Sequence, residues 1–278
     1  MSPLFLYAKL LQRREITLKI LVSNDDGVNA KGLKVLVKQL KEVGDVIVVA
    51  PDREQSAVGT SMTVRLPVKL HEAAPLVKDV PTYSVEGTPA DAVILALEWI
   101  IKDKVDLVVS GINTGLNLGY DVLLSGTVSA ARNGFIRGIP AIAISVEGLE
   151  NNHFEASTKT AAILANQFAT GKLPADIFLN VNLPNILTKD IKGVKPTRLG
   201  ELSYIESVRE DNLIGKSNYF WITRPQADWD LTEGTDMWAI NQNMVSITTL
   251  NPNLTTATNH ADTVQKLSDL LYEQLKSN

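Results

Sequence analysis

Short apolar runs recur along the chain, and each stops at a polar loop. Residues 18–22 carry Leu18, Ile20, Leu21 and Val22, a pattern apolar on both faces that predicts a strand buried in a helix-covered parallel sheet. Residues 33–43 place Leu33, Leu36, Val37, Leu40 and Val43 at i, i+3, i+4 and i+7 spacing with lysines between them, the signature of an amphipathic helix. Gly44 closes that helix, and 45–50 (DVIVVA) reads as a second buried strand. The alternation continues with a proline-bearing excursion over 65–85, a helix from Thr88 to about Lys102 and a strand at 106–110. A helix at 125–137, a strand at 140–146, a helix at 154–170 and a strand at 177–181 follow. Thr88-Pro89-Ala90-Asp91 is a well-formed helix start, with a capping hydroxyl, proline at the first helical position and an acid able to reach back to the cap.

Strands alternating with helices predict an α/β domain with a mostly parallel sheet and right-handed crossovers over 18–184. Beyond Pro184 the pattern turns β-rich, at 193–204, 219–224 and 244–250, so a boundary is expected near Asn185. Residues 185–278 then form a β-rich appendage ending in a helix, 260–276, that returns to the main domain. Trp221, Trp229 and Trp238 fall in this appendage, a density that suits either a subunit interface or a small local core. Residues 1–17 read as a disordered extension, or as the product of a start site assigned too early.

At 278 residues and 45% hydrophobic content the chain can bury a sizeable core. Its formal charge of −4 includes no basic run that would track a nucleic-acid backbone, so no nucleic-acid polymer is expected as partner. The leading apolar stretch, interrupted by Lys9, is too short to span a bilayer, and no membrane association is expected. The absence of cysteine excludes disulfides, thiolate metal sites and a cysteine nucleophile, and fits a cytoplasmic location.

Ligands of open parallel sheets bind beyond the carboxyl ends of the strands, and there Asn24, Asp25, Asp26 and Gly27 follow the first strand. Two adjacent carboxylates repel each other, and a divalent cation removes that penalty. The alternative is a polar turn that merely starts the next helix. Two further loops at the same edge bring Ser56 and Asn113. Carboxylates, a hydroxyl and an amide carbonyl are hard oxygen ligands, suited to Mg²⁺, Mn²⁺ or Ca²⁺. The segment 111–117 does not have dinucleotide-binding spacing. Ser125-Gly126-Thr127 opens a helix and reads either as an anion cradle or as an ordinary serine cap. His71, His153 and His260 lie outside these loops.

From about residue 18 to 250 the sequence resembles the survival protein E (stationary-phase survival) nucleotidases. The resemblance is carried by ILVSNDDG, VVAPDREQSAVG, VEGTPADAV, DLVVSGINTGLNLG, SGTVSAARNG, PAIAIS, LNVNLP and VSITTL in fixed order. It implies a Rossmann-like, doubly wound core with a swapped C-terminal arm, assembly as a homodimer or homotetramer through that arm, and hydrolysis of nucleoside 5′- and 3′-monophosphates, with short polyphosphate as a further substrate. It implies one divalent metal on Asp25, Asp26, Ser56 and Asn113, with Asp25 and Asp26 as the catalytic pair, and phosphate near Asn117, Ser125, Gly126 and Thr127. The family commonly has Gly-Tyr before its VSITPL strand, whereas this chain has Asn243-Met244 before VSITTL.

Two rival readings use the same residues. A phospho-receiver domain also has paired acids after its first strand, but needs an acceptor aspartate at the end of the third, where this chain has Ser110-Gly111-Ile112-Asn113. A non-catalytic nucleotide-binding regulatory module would need nothing the sequence lacks.

Overall fold

The computed structural model describes residues 18–148, 152–201, 207–211, 219–223, 228–253 and 261–276. The expected extension over 1–17 lies outside these. Among them the strands are β1 (Leu18–Ser23), β2 (Gly44–Pro51), β3 (Lys69–Glu72), β4 (Thr82–Glu86), β5 (Leu107–Thr114), β6 (Ala141–Val146), β7 (Phe178–Leu183), β8 (Gly193–Thr197), β9 (Ser207–Asp211), β10 (Tyr219–Thr223) and β11 (Met244–Thr249). The helices are α1 (Lys31–Leu40), α2 (Pro89–Leu95), α3 (Gly126–Phe135), α4 (Glu155–Ala169), α5 (Asp236–Asn241) and α6 (Ala261–Lys276).

Nine strands form one sheet in the order β3-β4-β2-β1-β5-β6-β7-β11-β8. The six from β4 to β7 pair in parallel, β3 pairs antiparallel with β4, and β11 pairs antiparallel with β7. This is the expected α/β, doubly wound arrangement. Successive strand residues face opposite sides, so Ile20 and Val22 join the apolar layer under α1 and α4 while Leu21 joins the layer under α2 and α3. All three are fully buried, which explains why their run shows no polar alternation.

The helices begin where the sequence signals them. Thr88 accepts from the backbone N–H of Asp91, and the Asp91 carboxylate accepts from that of Thr88 at 2.9 Å, completing the capping box of α2. The same carboxylate accepts from the backbone N–H and hydroxyl of Thr63 at 2.9 and 2.7 Å, pinning the loop after β2. The expected helix to Lys102 is α-helical only to Leu95 and ends in a π turn over Ala96–Ile100.

The sheet does not stop at the boundary expected near Asn185. β11 and β8 extend it by two strands, in register from Ser246 opposite Asn182 and from Met244 opposite Gly193. Only β9 and β10 form a separate two-stranded antiparallel sheet. The final helix also differs from expectation: Val264, Leu267, Leu270 and Leu271 on α6 are about half exposed, so its apolar side chains are not buried on the main domain. Two of the three tryptophans differ in their surroundings. Trp229 packs with Leu118, Met237 and Ile240 in a small local core, whereas Trp221 on β10 is 55% exposed. Asn243 has a φ of 59°. Asparagine is among the few residues that tolerate this left-handed backbone, so it can make the turn into β11.

Candidate active site

Register places four loops around one crevice. Val22 pairs with Val48 and Ser23 with Ser110, so the residues following β1, β2 and β5 emerge at one sheet edge. β1 feeds β2 on one side and adjoins β5 on the other, which makes this the topological switch point where such sheets bind ligands.

The turn after β1 is closed by the Asn24 side chain, whose Nδ2 donates to the Gly27 carbonyl at 2.9 Å. Gly27 has a φ of 94°, and a Cβ there would stand 3.0 Å from the Arg53 backbone, so the turn lies directly against the second loop. Gln55 N–H donates to the Asp25 carbonyl and Val28 N–H to the Pro51 carbonyl, each at 2.7 Å, fixing residues 51–55 beside the acids. Within this loop the Ser56 hydroxyl donates to Glu54 Oε1 at 2.7 Å.

The third loop leaves β5 where its register against β6 shifts between Ser110 and Asn113. Such a bulge re-aims side chains at a strand end. Asn113 donates through Nδ2 to the Gly115 carbonyl at 2.7 Å, which orients its Oδ1 as the free acceptor, and Thr114 N–H lies 3.4 Å from Asp26 Oδ2.

The fourth element is the start of α3. Ser125 caps it, its Oγ accepting from Val128 N–H at 3.0 Å. The hydroxyl of Thr127 donates to Asp25 Oδ1. Gly126 lies so close that a Cβ would stand 2.7 Å from Asp25 Cβ and 2.8 Å from Oδ2. The sequence left open whether Ser125 is a cap or part of an anion cradle. It is a cap, and its hydroxyl hydrogen remains available to an acceptor.

Asn117 stands differently from the other expected phosphate contacts. It is buried, and its Nδ2 donates inward to Ser145 Oγ at 2.8 Å. Its neighbour Gly119 donates through N–H to the buried carboxylate of Asp236 at 2.8 Å.

The electrostatics are those of crowded acids. Burial raises the pKa of Asp25, opposed by its bonds from Thr127, and nearby Glu54 raises it further. Asp26 is pushed up to about 6 by burial first and by the Asp25 charge second. Among the described residues neither carboxylate forms an ion pair. Ser23 Oγ, Asn24 Oδ1 and Ser110 Oγ, buried at the same edge, have no hydrogen-bond partner there. A divalent cation fits such a site, because it supplies the missing positive charge and favours both ionised forms. No group of three or more His, Cys, Asp or Glu is assembled among the described residues, so an ion here draws on neutral oxygens as well. Asp25, Asp26, Ser56 and Asn113 have that chemistry. Glu54 is the residue that sequence reasoning missed: it lies in the same loop as Ser56, two positions earlier, but nothing in its spacing singles it out.

An α/β sheet with paired acids and a helix start at its switch point suits an anionic ligand handled through a hard cation. Residues 20–206 match the family described as Survival protein SurE, and the chain belongs to that family. It is 46% identical over 239 residues to the 5'-nucleotidase SurE of Dehalococcoides mccartyi (strain CBDB1), covering 85% of this chain and 90% of that one. With the 5'-nucleotidase SurE of Legionella pneumophila (strain Lens) it shares 43% identity over 257 residues, 92% and 98% of the two chains. The crystal structure of the SurE protein from Aquifex aeolicus superposes with a TM-score of 0.77 at 40% identity, covering 90% of this chain and 99% of that one.

Proposed function

We propose that the chain is a divalent-metal-dependent phosphomonoesterase that hydrolyses nucleoside 5′-monophosphates to nucleoside and phosphate. The observation that carries this is the meeting of two unpaired carboxylates, Asp25 and Asp26, with the start of α3 at the switch point of the sheet. Family membership and the names of the two relatives point the same way. Activity on 3′-monophosphates and short polyphosphate is part of the proposal.

In this reading Asp25, Asp26, Ser56 and Asn113 hold one Mg²⁺ or Mn²⁺, with Ca²⁺ able to take the same oxygens. A cation so held would polarise a phosphoryl oxygen and lower the pKa of water. The Thr127 hydroxyl donates to Asp25 and favours its charged form against the burial that opposes it. Asp26, the more accessible acid, accepts the proton of the attacking water, and that proton serves the departing nucleoside oxygen. The Ser125 hydroxyl, the backbone N–H of Gly126 and the first turn of α3 face the equatorial phosphoryl oxygens, as helix starts do for anions, and the Asn117 loop forms the adjoining wall. Tyr120, Leu123 and Leu124 expose apolar surface on the segment leading into α3, which suits a substrate with a charged head and a flat body.

We further propose a homodimer or homotetramer assembled through the C-terminal arm, in the cytoplasm. Phe220, Trp221 and Ile222 on β10 are more than half exposed, which supports a partner for the arm, and the lack of cysteine suits a reducing compartment. No helix among the described residues is long and apolar enough to cross a membrane.

Release of inorganic phosphate from AMP and from p-nitrophenyl phosphate tests the activity. Loss on chelation and recovery with Mn²⁺ or Mg²⁺ is expected. Nucleotide binding without phosphate release would support a regulatory module instead. Solvent ¹⁸O is expected in phosphate alone after a single turnover; label in a protein carboxylate would replace direct water attack with an aspartyl-phosphate route.

A further inference from the structure

β7 carries two asparagines where a buried strand ordinarily presents apolar side chains. Asn180 and Asn182 lie two positions apart, so they share one face of the strand, and both are fully buried. Their side chains converge on the backbone of a single residue. Asn182 Oδ1 accepts from Asn117 N–H at 2.9 Å, and Asn182 Nδ2 donates to the Asn117 carbonyl at 3.1 Å. Asn180 Nδ2 donates to that same carbonyl at 2.8 Å. From the neighbouring strand, Ser145 Oγ accepts from the Asn117 side chain at 2.8 Å.

The carboxamide of Asn182 thus does what a paired strand would do, offering one acceptor and one donor to the N–H and C=O of one residue. Asn117 lies beyond the end of β5, so no strand is there to do it. Buried polar groups are costly unless matched, and the matching of Asn182 is specific in direction: reversing its amide, or replacing it with a carboxylate, sets like against like, while Asn180 is matched through Nδ2 alone, its Oδ1 having no partner among the described residues. Burying two amides for stability alone would be a poor use of core positions that apolar residues fill readily. What the arrangement achieves is to fix the main chain of the loop that runs from Asn113 to the start of α3.

We infer that Asn182, assisted by Asn180, is a positioning residue for phosphate binding: it holds the Asn117 backbone so that the wall of the phosphate pocket is set before substrate arrives. It touches neither the substrate nor the cation. This rests on the phosphomonoesterase reading above and adds to it a part of the chain, β7, that contributes no metal ligand.

The test compares wild type with Asn182→Leu, Asn182→Asp and Asn180→Leu, reading the inhibition constant for inorganic phosphate, KM and kcat for AMP, and Mn²⁺ affinity. Asn182→Leu is expected to weaken phosphate binding and raise KM on the order of 10-fold or more, as loss of two buried hydrogen bonds implies, with Mn²⁺ affinity within about 2-fold of wild type. Asn180→Leu, which leaves the Asn117 carbonyl one donor, is expected to show a smaller change of the same kind. Asn182→Asp supplies a readout that simple loss of packing would not: a protonated carboxyl can both donate and accept, so phosphate affinity relative to wild type recovers as pH is lowered. Retained Mn²⁺ affinity also certifies that each variant is folded. Unchanged phosphate affinity in folded Asn182→Leu, or a parallel loss of Mn²⁺ and phosphate binding in all three variants, would overturn the inference. Wild-type protein that releases no phosphate from AMP would instead sink the functional reading, which separates the two failures.

Discussion

The hydroxyl of Thr127 donates to Oδ1 of Asp25 across 102 positions of sequence, joining the start of α3 to the end of β1. A hydrogen bond to a buried carboxylate stabilises its charged form, and here it opposes the burial that raises the Asp25 pKa. Bonds of this charged kind contribute about 1.5–3 kcal/mol. Thr127→Val, close in shape but without the hydroxyl, should therefore lower Mn²⁺ affinity by roughly 10- to 100-fold, while Thr127→Ser should keep most of it. Isothermal titration with Mn²⁺ at neutral pH measures both. Equal affinity in wild type and Thr127→Val would show that the Thr127 hydrogen bond contributes nothing to cation binding at Asp25.

Asp26 predicts how the metal-free protein responds to pH. Its folded pKa is pushed up to about 6, above the ordinary aspartate range, so the folded state binds the proton more tightly than the unfolded state does. Stability in chelator should consequently fall as pH rises from about 4 to about 6 and then level off. Asp26→Asn removes the charge, so at pH 8 the metal-free variant should be more stable than wild type, by on the order of 1–2 kcal/mol after allowance for solvent screening. Below pH 4 the two should converge. Thermal melts in EDTA across this range check the sign, which is opposite to that of a salt-bridged acid. With Mn²⁺ present the order should reverse, because the variant loses a ligand.

Much of this site was legible because it is built at strand ends. Strand periodicity placed Asp25, Ser56 and Asn113 at one edge without any knowledge of distances, and the capping pattern at Thr88 and Asp91 appears as written. What escaped the sequence depends on side-chain direction. The family resemblance implies phosphate near Asn117, yet its side-chain amide donates inward to Ser145 on β6 while Asn180 on β7 holds its carbonyl. Glu54 looks like an ordinary loop residue until the loop folds back on Asp25. β8 and β11 were hard to assign to the main sheet because the residues between them in sequence form other elements, and strand neighbours that far apart leave no local signal.

Gly126 is predicted to be intolerant of even one added carbon. A Cβ at 2.7 Å from Asp25 Cβ is closer than any side chain normally approaches, so either Asp25 or the first turn of α3 must move. Both are parts of the proposed site. Gly126→Ala should lower kcat/KM for AMP by 10-fold or more, with a stability loss of about 1–3 kcal/mol, the usual range for overpacking. Steady-state kinetics alongside urea unfolding check the two effects separately. Wild-type kinetics in Gly126→Ala would mean that α3 can withdraw from Asp25 without consequence.

Asp236 ties the site to the part of the chain beyond the parallel strands. Its carboxylate is fully buried and accepts three backbone N–H groups, from Gly119 at 2.8 Å and from Gly200 and Met237 at 2.9 Å each. Burial raises its pKa while those three bonds lower it, and no cationic side chain pairs with it among the described residues. Gly119 belongs to the loop before α3, and Gly200 to the segment leading out of β8, so one side chain holds two stretches that are otherwise held apart in sequence by the whole of β6 and β7. Removing it leaves three buried donors unmatched. Asp236→Ala should cost on the order of 3–5 kcal/mol of stability, whereas Asp236→Asn, which keeps the shape but turns two donors toward N–H groups, should fall between. Because Gly119 adjoins the proposed phosphate wall, Asp236→Asn should also raise KM for AMP by several-fold while Mn²⁺ affinity holds, since no proposed metal ligand touches Asp236. Urea unfolding and steady-state kinetics on the same preparations decide it: a loss of stability with unchanged KM would confine Asp236 to a structural role, and a loss of Mn²⁺ affinity would show that the loop and the metal site are mechanically one unit.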